Sequence, residues 1–352
     1  MPKASAKKSE AVAPEASATK ADAADAPDYL SVRMVEVAAA DAGLRLDRWF
    51  QRHIPELGHG RLQKLLRTAQ VKVNGKRATA NQHVEAGQTI RIPPLPGLVD
   101  SAGAKKPARN VSPKDAEDLL ARVLYRDDDI IAINKPPGLA VQGGTGTDKH
   151  LDGMLDVLRF DSDERPKLVH RLDRDTSGVL VLARTARAAA YLTKSFAGRY
   201  VQKTYWALTL RVPSPADGTI DIPLAKAEGL MGREKMEESE EGDSAVTDYR
   251  VIEDVSRAAW VELSPRTGRT HQLRAHMAAI GTPIVGDHKY GGAEATLPGI
   301  ADKLHLHAAA LALRLPSGAQ WEVTAPLPEH MAATWQLLGF DVPKQKKKKR
   351  PG

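Results

Sequence analysis

Ten residues in the middle of the chain, Val169-His170-Arg171-Leu172-Asp173-Arg174-Asp175-Thr176-Ser177-Gly178, are dense in charge and lie between apolar neighbours. Leu168-Val169 leads in, and Val179-Leu180-Val181-Leu182-Ala183 follows without a polar interruption. A continuous apolar run of that length reads as a strand buried on both faces. From about Thr185 to Phe196 the pattern turns helical. The polar stretch is therefore a tight connection pinned between core elements, and loops fixed on a rigid scaffold are where catalytic groups tend to sit. Any fold for this chain must bury that strand and still bring these charges to a surface.

The 352 residues suggest two or three domains, and 42% apolar residues suffice for a sizeable core. From about residue 116 to 340 the expected strands are short and mixed with few helices. A regular strand–helix alternation is missing, so the fold class is α+β rather than a doubly wound parallel sheet. No repeat of fixed period is visible. Cysteine is absent, which excludes disulfides, thiolate nucleophiles, Cys-ligated zinc and iron–sulfur clusters. No run of 18 apolar residues predicts a membrane span, and the N-terminus lacks the apolar core of a secretory signal. The expected location is the cytoplasm.

The net charge of +7 is unevenly spread. Residues 1–31 are Ala/Ser/Lys/Glu-rich and are expected to be a disordered tail, since they can bury too little to offset ordering. A second tail, 341–352, carries six cations in Lys344-Gln345-Lys346-Lys347-Lys348-Lys349-Arg350. Between Asp41 and Ile92 stand ten Lys/Arg against four Asp/Glu. Leu46, Trp49, Phe50 and Ile54 recur at helical spacing up to Pro55, and Leu62, Leu65, Leu66 and Ala69 stripe a second helix from Gly60. Arg61, Lys64 and Arg67 step along another side of that helix. Lys72, Lys76 and Arg77 then flank an Asn74-Gly75 hairpin turn, and a last strand ends at Pro93-Pro94. A small module at 32–94 thus presents clustered cations, the footprint of a polyanion partner such as nucleic acid. Residues 95–115, rich in Gly, Pro, Ala and Lys, read as a linker.

Three readings of the charged decapeptide stand on chemistry alone. Asp173 and Asp175, interleaved with Arg171 and Arg174, form a surface ion-pair cluster, or a metal site in competition with its own arginines, or a carboxylate held ionised by arginine as nucleophile or base. His271 and His276 are five apart and His305 and His307 two apart, not the i, i+4 spacing of helical zinc ligands, so no metal is expected. Residues 234–243, strongly acidic, read as a solvent-exposed loop turned away from phosphate.

The decapeptide resembles the signature His-Arg-Leu-Asp-x-x-Thr-Ser-Gly of the RluA-type pseudouridine synthases, with each fixed position matched. Three further stretches are similar to motifs of that family in the same order: Ile133 to Val141 around Lys135-Pro136-Pro137-Gly138, then Lys203-Thr204-Tyr205, then Thr267 to His276 with His271-Gln272-Leu273-Arg274. Leu306-His307-Ala308 resembles a fifth. The 32–94 module resembles the S4 RNA-binding domain through Leu44-Arg45-Leu46-Asp47, the Arg61–Arg67 helix and Val71-Lys72-Val73-Asn74-Gly75. Gly143-Gly144 is most similar to the RluC type, acting on 23S ribosomal RNA, although Gln142 stands where that type usually has His.

The resemblance implies a catalytic domain on a mixed, largely antiparallel sheet, working without cofactor or metal. It implies Asp173 as the catalytic carboxylate, Tyr205 as the aromatic that stacks on the target base, and Arg274 as the cation beside Asp173. Leu306 is implied to line the uracil pocket. Arg171, Arg269 and His271 are candidate substrate contacts, and Arg171 is alternatively an ion-pair partner of Asp175. The isomerisation breaks the N1–C1′ bond of uridine, turns the base and rejoins it through C5, so no redox equivalent is needed. Accordingly, neither a P-loop nor a Rossmann fingerprint is present. The expected partner is 23S ribosomal RNA or a large-subunit assembly intermediate, with no membrane, and the expected state a monomer. Two alternatives remain: a non-catalytic ribosome-assembly factor that grips RNA, and a synthase acting on transfer RNA.

Overall fold

The structure, a computed structural model, describes residues 29–96, 111–143, 149–198, 200–227 and 235–342. Most of both expected tails, most of the linker, and Gly144 lie outside the described residues. The chain divides into two compact units, one holding the described residues up to 96 and the other those from 111.

In the first unit, β1 (Arg33–Glu36), α1 (Leu46–His53), α2 (His59–Arg67), β2 (Lys72–Val73), β3 (Lys76–Arg77) and β4 (Thr89–Ile92) build a four-stranded sheet in the order β1-β4-β2-β3 under two helices. The helical stripes read from the sequence are the buried ones: Leu46, Trp49, Phe50, Leu62 and Leu66 share one core. Asn74 and Gly75 both take positive φ (47° and 75°), the geometry of a tight hairpin turn. The unit is longer than expected at both ends. Tyr29, 6% exposed, and Leu95, 1% exposed, join the same core, and the Leu95 amide donates to the Tyr29 carbonyl. One aromatic ring holds the end of a stretch whose average composition reads as tail.

The second unit opens with α3 (Pro113–Leu120), capped by the Ser112 hydroxyl. The last residues of the expected linker are therefore helical, because Ser-Pro supplies both cap and first turn. A ten-stranded sheet follows. Its strands in chain order are β5 (Val123–Arg126), β6 (Ile130–Lys135), β7 (Lys167–Leu168), β8 (Ser177–Ala183), β9 (Gln202–Leu210), β10 (Asp217–Asp221), β13 (Val246–Val255), β14 (Ala258–Pro265), β15 (Leu306–Arg314) and β16 (Gln320–Thr324). The path is β10-β13-β14-β9-β15-β8-β6-β5, with β16 beside β15 and β7 beside β8. One pairing, β15 with β8, is parallel, and the others are antiparallel, so the sheet is mixed and largely antiparallel as expected. Strands β11 (Leu224–Ala227) and β12 (Lys235–Glu238) form a separate hairpin. This corrects the loop expected over 234–243: Lys235–Glu238 is a strand because Met236 packs with Leu224, Ala245 and Ala275, while Glu237 and Glu238 stay exposed.

Both faces of the sheet are covered. On β8, Val179, Val181 and Ala183 pack toward α4 (Ala186–Ala197), while Leu180 and Leu182 pack toward the 3-10 helix Leu151–Leu158. In the other half, Ala207, Val261 and Leu263 lie against α5 (Gln272–Ala279), and Leu208 and Trp260 against α6 (Glu329–Leu338).

Candidate active site

Three adjacent strands bring the motifs together. The charged decapeptide enters β8, Leu306 begins β15, and Tyr205 lies on β9 opposite Ala308 of β15 and Leu263 of β14. The parallel pairing of β8 with β15 requires a very close approach at Gly178. That residue has φ +109°, and a Cβ there would run into the Ala308 carbonyl.

The loop from β14 into α5 is held by Gln272. Its Oε1 accepts from the Thr267 hydroxyl at 2.7 Å and the Arg269 amide at 3.0 Å, and its Nε2 donates to the Val246 carbonyl and Thr247. His271 sits ahead of the helix in the left-handed region, φ 52°, and Arg274 follows within the first turn.

A cleft of about 270 Å³ results, lined among others by Asp173, Tyr205, His271, Arg274 and Leu306. The Asp173 side chain is 19% exposed, with Arg274 Nη1 at 3.7 Å and His271 Nε2 at 3.9 Å from Oδ2. Burial lowers the pKa of His271 and Arg274 pushes it the same way, while Asp173 opposes them. Tyr205 is shifted in the opposite direction: burial and then the Asp173 charge raise its phenol well above the usual value, so its proton stays on. Burial works against the charge of Arg274, but its bonds to Asp287 outweigh that and raise its pKa.

Of the other expected site residues, Leu306 is buried in the cleft wall and Arg171 stands exposed at its mouth. The alternative pairing of Arg171 with Asp175 is not what the structure contains: Asp175 lies 4.0 Å from Arg174 instead. Arg269 lines the cleft but spends its side chain on the Ser244 carbonyl at 3.1 Å and on Asp243 at 3.4 Å. The six candidate cations of the first unit stand on α2, β2 and β3. Lys64, Arg67, Lys76 and Arg77 are exposed, with Arg61 and Lys72 half-buried. Arg77 donates to the Arg67 carbonyl at 3.0 Å, and Lys72 stands opposite Arg77 on one side and Arg91 on the other. Arg91, too distant in sequence to be grouped with the hairpin, extends the row beyond Lys72, on the side away from Arg77.

The four histidines considered as metal ligands are bound elsewhere. His276 meets Thr247 and the Ile222 carbonyl, His305 meets Thr334 and the Lys303 carbonyl, and His307 meets Ser177 and the Ala325 carbonyl. His271 meets Tyr290 at 2.9 Å.

Three residues that sequence reasoning does not place in the site belong to its frame. Lys135 is fully buried, and its Nζ donates to the carbonyls of Pro136, Leu139 and Arg174, each at 2.9 Å. It ties the Asp173 loop to the turn after β6. Burial draws its pKa down to about 7, with Asp175 and Asp173 opposing. Lys203 shares the cleft with Tyr205, and its place two residues away on one strand was the available signal. Asp287 takes a two-pronged bond from Arg274, 2.7 Å on each arm. In the sequence it stands out only as a carboxylate that could come near His271, His276, His305 and His307 in space.

Residues 129–279 match the family model described as RNA pseudouridylate synthase. The chain is 35% identical to the ribosomal large subunit pseudouridine synthase C of Escherichia coli, over 88% of this chain and 97% of that one. It is 34% identical to an RNA pseudouridine synthase of Synechocystis sp., over 87% and 93%. Among solved structures, the human RNA pseudouridylate synthase domain containing 4 superposes with a TM-score of 0.56 at 31% identity, covering 65% of this chain and 97% of that one. Similarity over nearly the whole length of both chains, together with a mixed sheet that gathers four of the five motifs at one cleft, makes this chain a member of the RluA-type pseudouridine synthases.

Proposed function

We propose that this synthase isomerises specific uridines of 23S ribosomal RNA in the cytoplasm, with Asp173 as the carboxylate that acts on the flipped nucleotide. The observation that carries the reading is the company Asp173 keeps: one arginine at ion-pair distance, one half-buried tyrosine and one buried leucine around a cleft of about 270 Å³. Arg274 brings a positive charge to 3.7 Å from the Asp173 carboxylate. Acting on the target base requires extruding it from its stack, at a cost of a few kcal/mol. The Tyr205 ring offers a stacking surface to offset that cost, and Leu306 an apolar wall. Exposed Arg171 is positioned to meet a phosphate or fill the gap left by the base.

The first unit, 32–94 with the added residues at its ends, acts in this reading as an S4-like RNA-binding domain. Arg77, Lys72 and Arg91 stand opposite one another across three strands. Like charges in directly opposed positions destabilise a free sheet, and a phosphate backbone turns that cost into affinity. The choice of ribosomal RNA rests on the large-subunit substrate in the name of the Escherichia coli relative.

The test is carbodiimide mapping of pseudouridine on 23S RNA lacking modifications, with wild type run beside Asp173→Asn. Site-specific signal from the wild type alone is the expected result. Signal from both proteins removes Asp173 from the chemistry. Signal only on transfer RNA replaces the substrate, and tight binding without product on either RNA leaves the assembly-factor reading.

A further inference from the structure

Arg274 lies between two carboxylates that do not share it equally. Asp287 takes Nε and Nη2, each at 2.7 Å, fork to fork. Asp173 faces Nη1 alone, at 3.7 Å, an ion pair without a hydrogen bond. The Asp287 side chain is fully buried, and its Oδ1 also accepts from the amides of Lys289 at 3.2 Å and Tyr290 at 3.3 Å. The Tyr290 ring lies 5.1 Å from the guanidinium carbon, and its hydroxyl contacts His271. The turn that presents Asp287 is equally constrained. Gly286 has φ +77°, and a Cβ there would collide with the Lys303 carbonyl.

A buried ion pair is costly to desolvate, and well-packed apolar residues often serve stability as well or better. Its advantage here is geometric, because a two-pronged bond fixes the plane of a guanidinium where one contact does not. Released from Asp287, Arg274 has its fork free for Asp173, the next carboxylate. Both Asp173 oxygens would then be occupied by hydrogen bonds that the nucleotide must break.

Resting on the reading of Asp173 given above, we propose that Asp287 is a positioning residue for the isomerisation. It claims the fork of Arg274 so that the cation faces Asp173 without binding up its oxygens. Asp287 touches neither the nucleotide nor the reacting atoms, and it acts through Arg274.

The test compares Asp287→Asn with wild type on an unmodified 23S ribosomal RNA transcript, reading single-turnover rate at saturating protein and RNA affinity separately. The asparagine keeps the volume and one accepting oxygen but loses the charge and the second prong. The expected result is a rate loss of at least about tenfold with affinity within about twofold of wild type. Rate and affinity falling in parallel, or neither changing, overturns the proposal. Should Asp287→Asn fail to fold, as judged by circular dichroism and its thermal transition, Arg274→Lys decides. Lysine keeps the charge without the fork, so the same loss of rate at unchanged affinity is expected, and a wild-type rate overturns the proposal. A wild type that makes no product defeats the substrate reading itself, whereas an active wild type with an equally active Asp287→Asn defeats only the role of Asp287.

Discussion

Tyr205 shows how one side chain serves two layers of the molecule. It packs against both the core cluster that holds Leu172 and Ala308 and the one that holds Ala207 and Leu263, and it lines the cleft together with Asp173. Burial and the Asp173 charge hold the phenol protonated, so in the proposed mechanism it contributes surface rather than a proton. Tyr205→Phe should therefore leave the single-turnover rate within a few-fold of wild type. Tyr205→Leu should weaken capture of the flipped uridine by about 1–3 kcal/mol, the worth of one base–aromatic stack. Both are read by rates on 23S transcript, and a crippled phenylalanine variant would shift the role to the hydroxyl. Lys135 makes a complementary point: its three donated bonds use every proton of an ammonium group, and they hold backbone, so its contribution is to loop shape.

At the level of elements, the site depends on how three strands come together more than on any one of them. Strand β8 carries the loop, β15 the leucine and β9 the tyrosine, and the parallel β8–β15 pairing sets their spacing. Gly178 permits that pairing. Gly178→Ala adds a Cβ into the Ala308 carbonyl at a φ that other residues avoid, so strain and overpacking of about 1–3 kcal/mol each are expected. The thermal transition should fall by several degrees and activity should be lost with it. An alanine variant as stable as wild type would show that the two strands can part without cost. Helix α5 is the second such element. Its entry is held by Gln272, which places both His271 and Arg274 at the cleft.

Across the whole molecule, charge bears on the dependence of stability on pH and on the proposed RNA contacts. His305 and His307 are drawn by burial to about 4 and His170 to about 3. Unfolding returns them toward the ordinary value of 6.5, so the unfolded chain binds more protons as pH falls below that value. Stability should decline from about pH 6.5 toward pH 4, read as the urea midpoint at successive pH values. His288, raised by its bond to Asp302, works the other way but is exposed. A midpoint that is flat down to pH 5 would contradict neutral burial of these rings. For RNA, replacing Lys64, Arg67, Lys76 and Arg77 with alanine should lower affinity. It should also flatten the dependence on salt, by about one unit of slope for each phosphate no longer neutralised. An unchanged slope would remove this face from the RNA path. Among the described residues no helix is long and apolar enough to cross a membrane.

What the sequence determined alone was whatever is local along the chain. The decapeptide and its following strand, the stripes of α1 and α2, the hairpin at Asn74-Gly75 and the helix after Thr185 rest on neighbours within a few residues, where period and turn chemistry decide. The order of motifs identified the family for the same reason. What only tertiary structure decided lies between distant residues. Ser177 meets His307 across 130 positions, Lys135 meets the Arg174 carbonyl across 39, and Arg274 meets Asp287 across 13. Strand order, the packing of Met236 that makes a strand of an acidic stretch, and the unequal sharing of Arg274 have no periodic signature. They arise because burial and hydrogen-bond satisfaction are settled by the folded whole, where a buried carboxylate must find its partner wherever the chain has carried it.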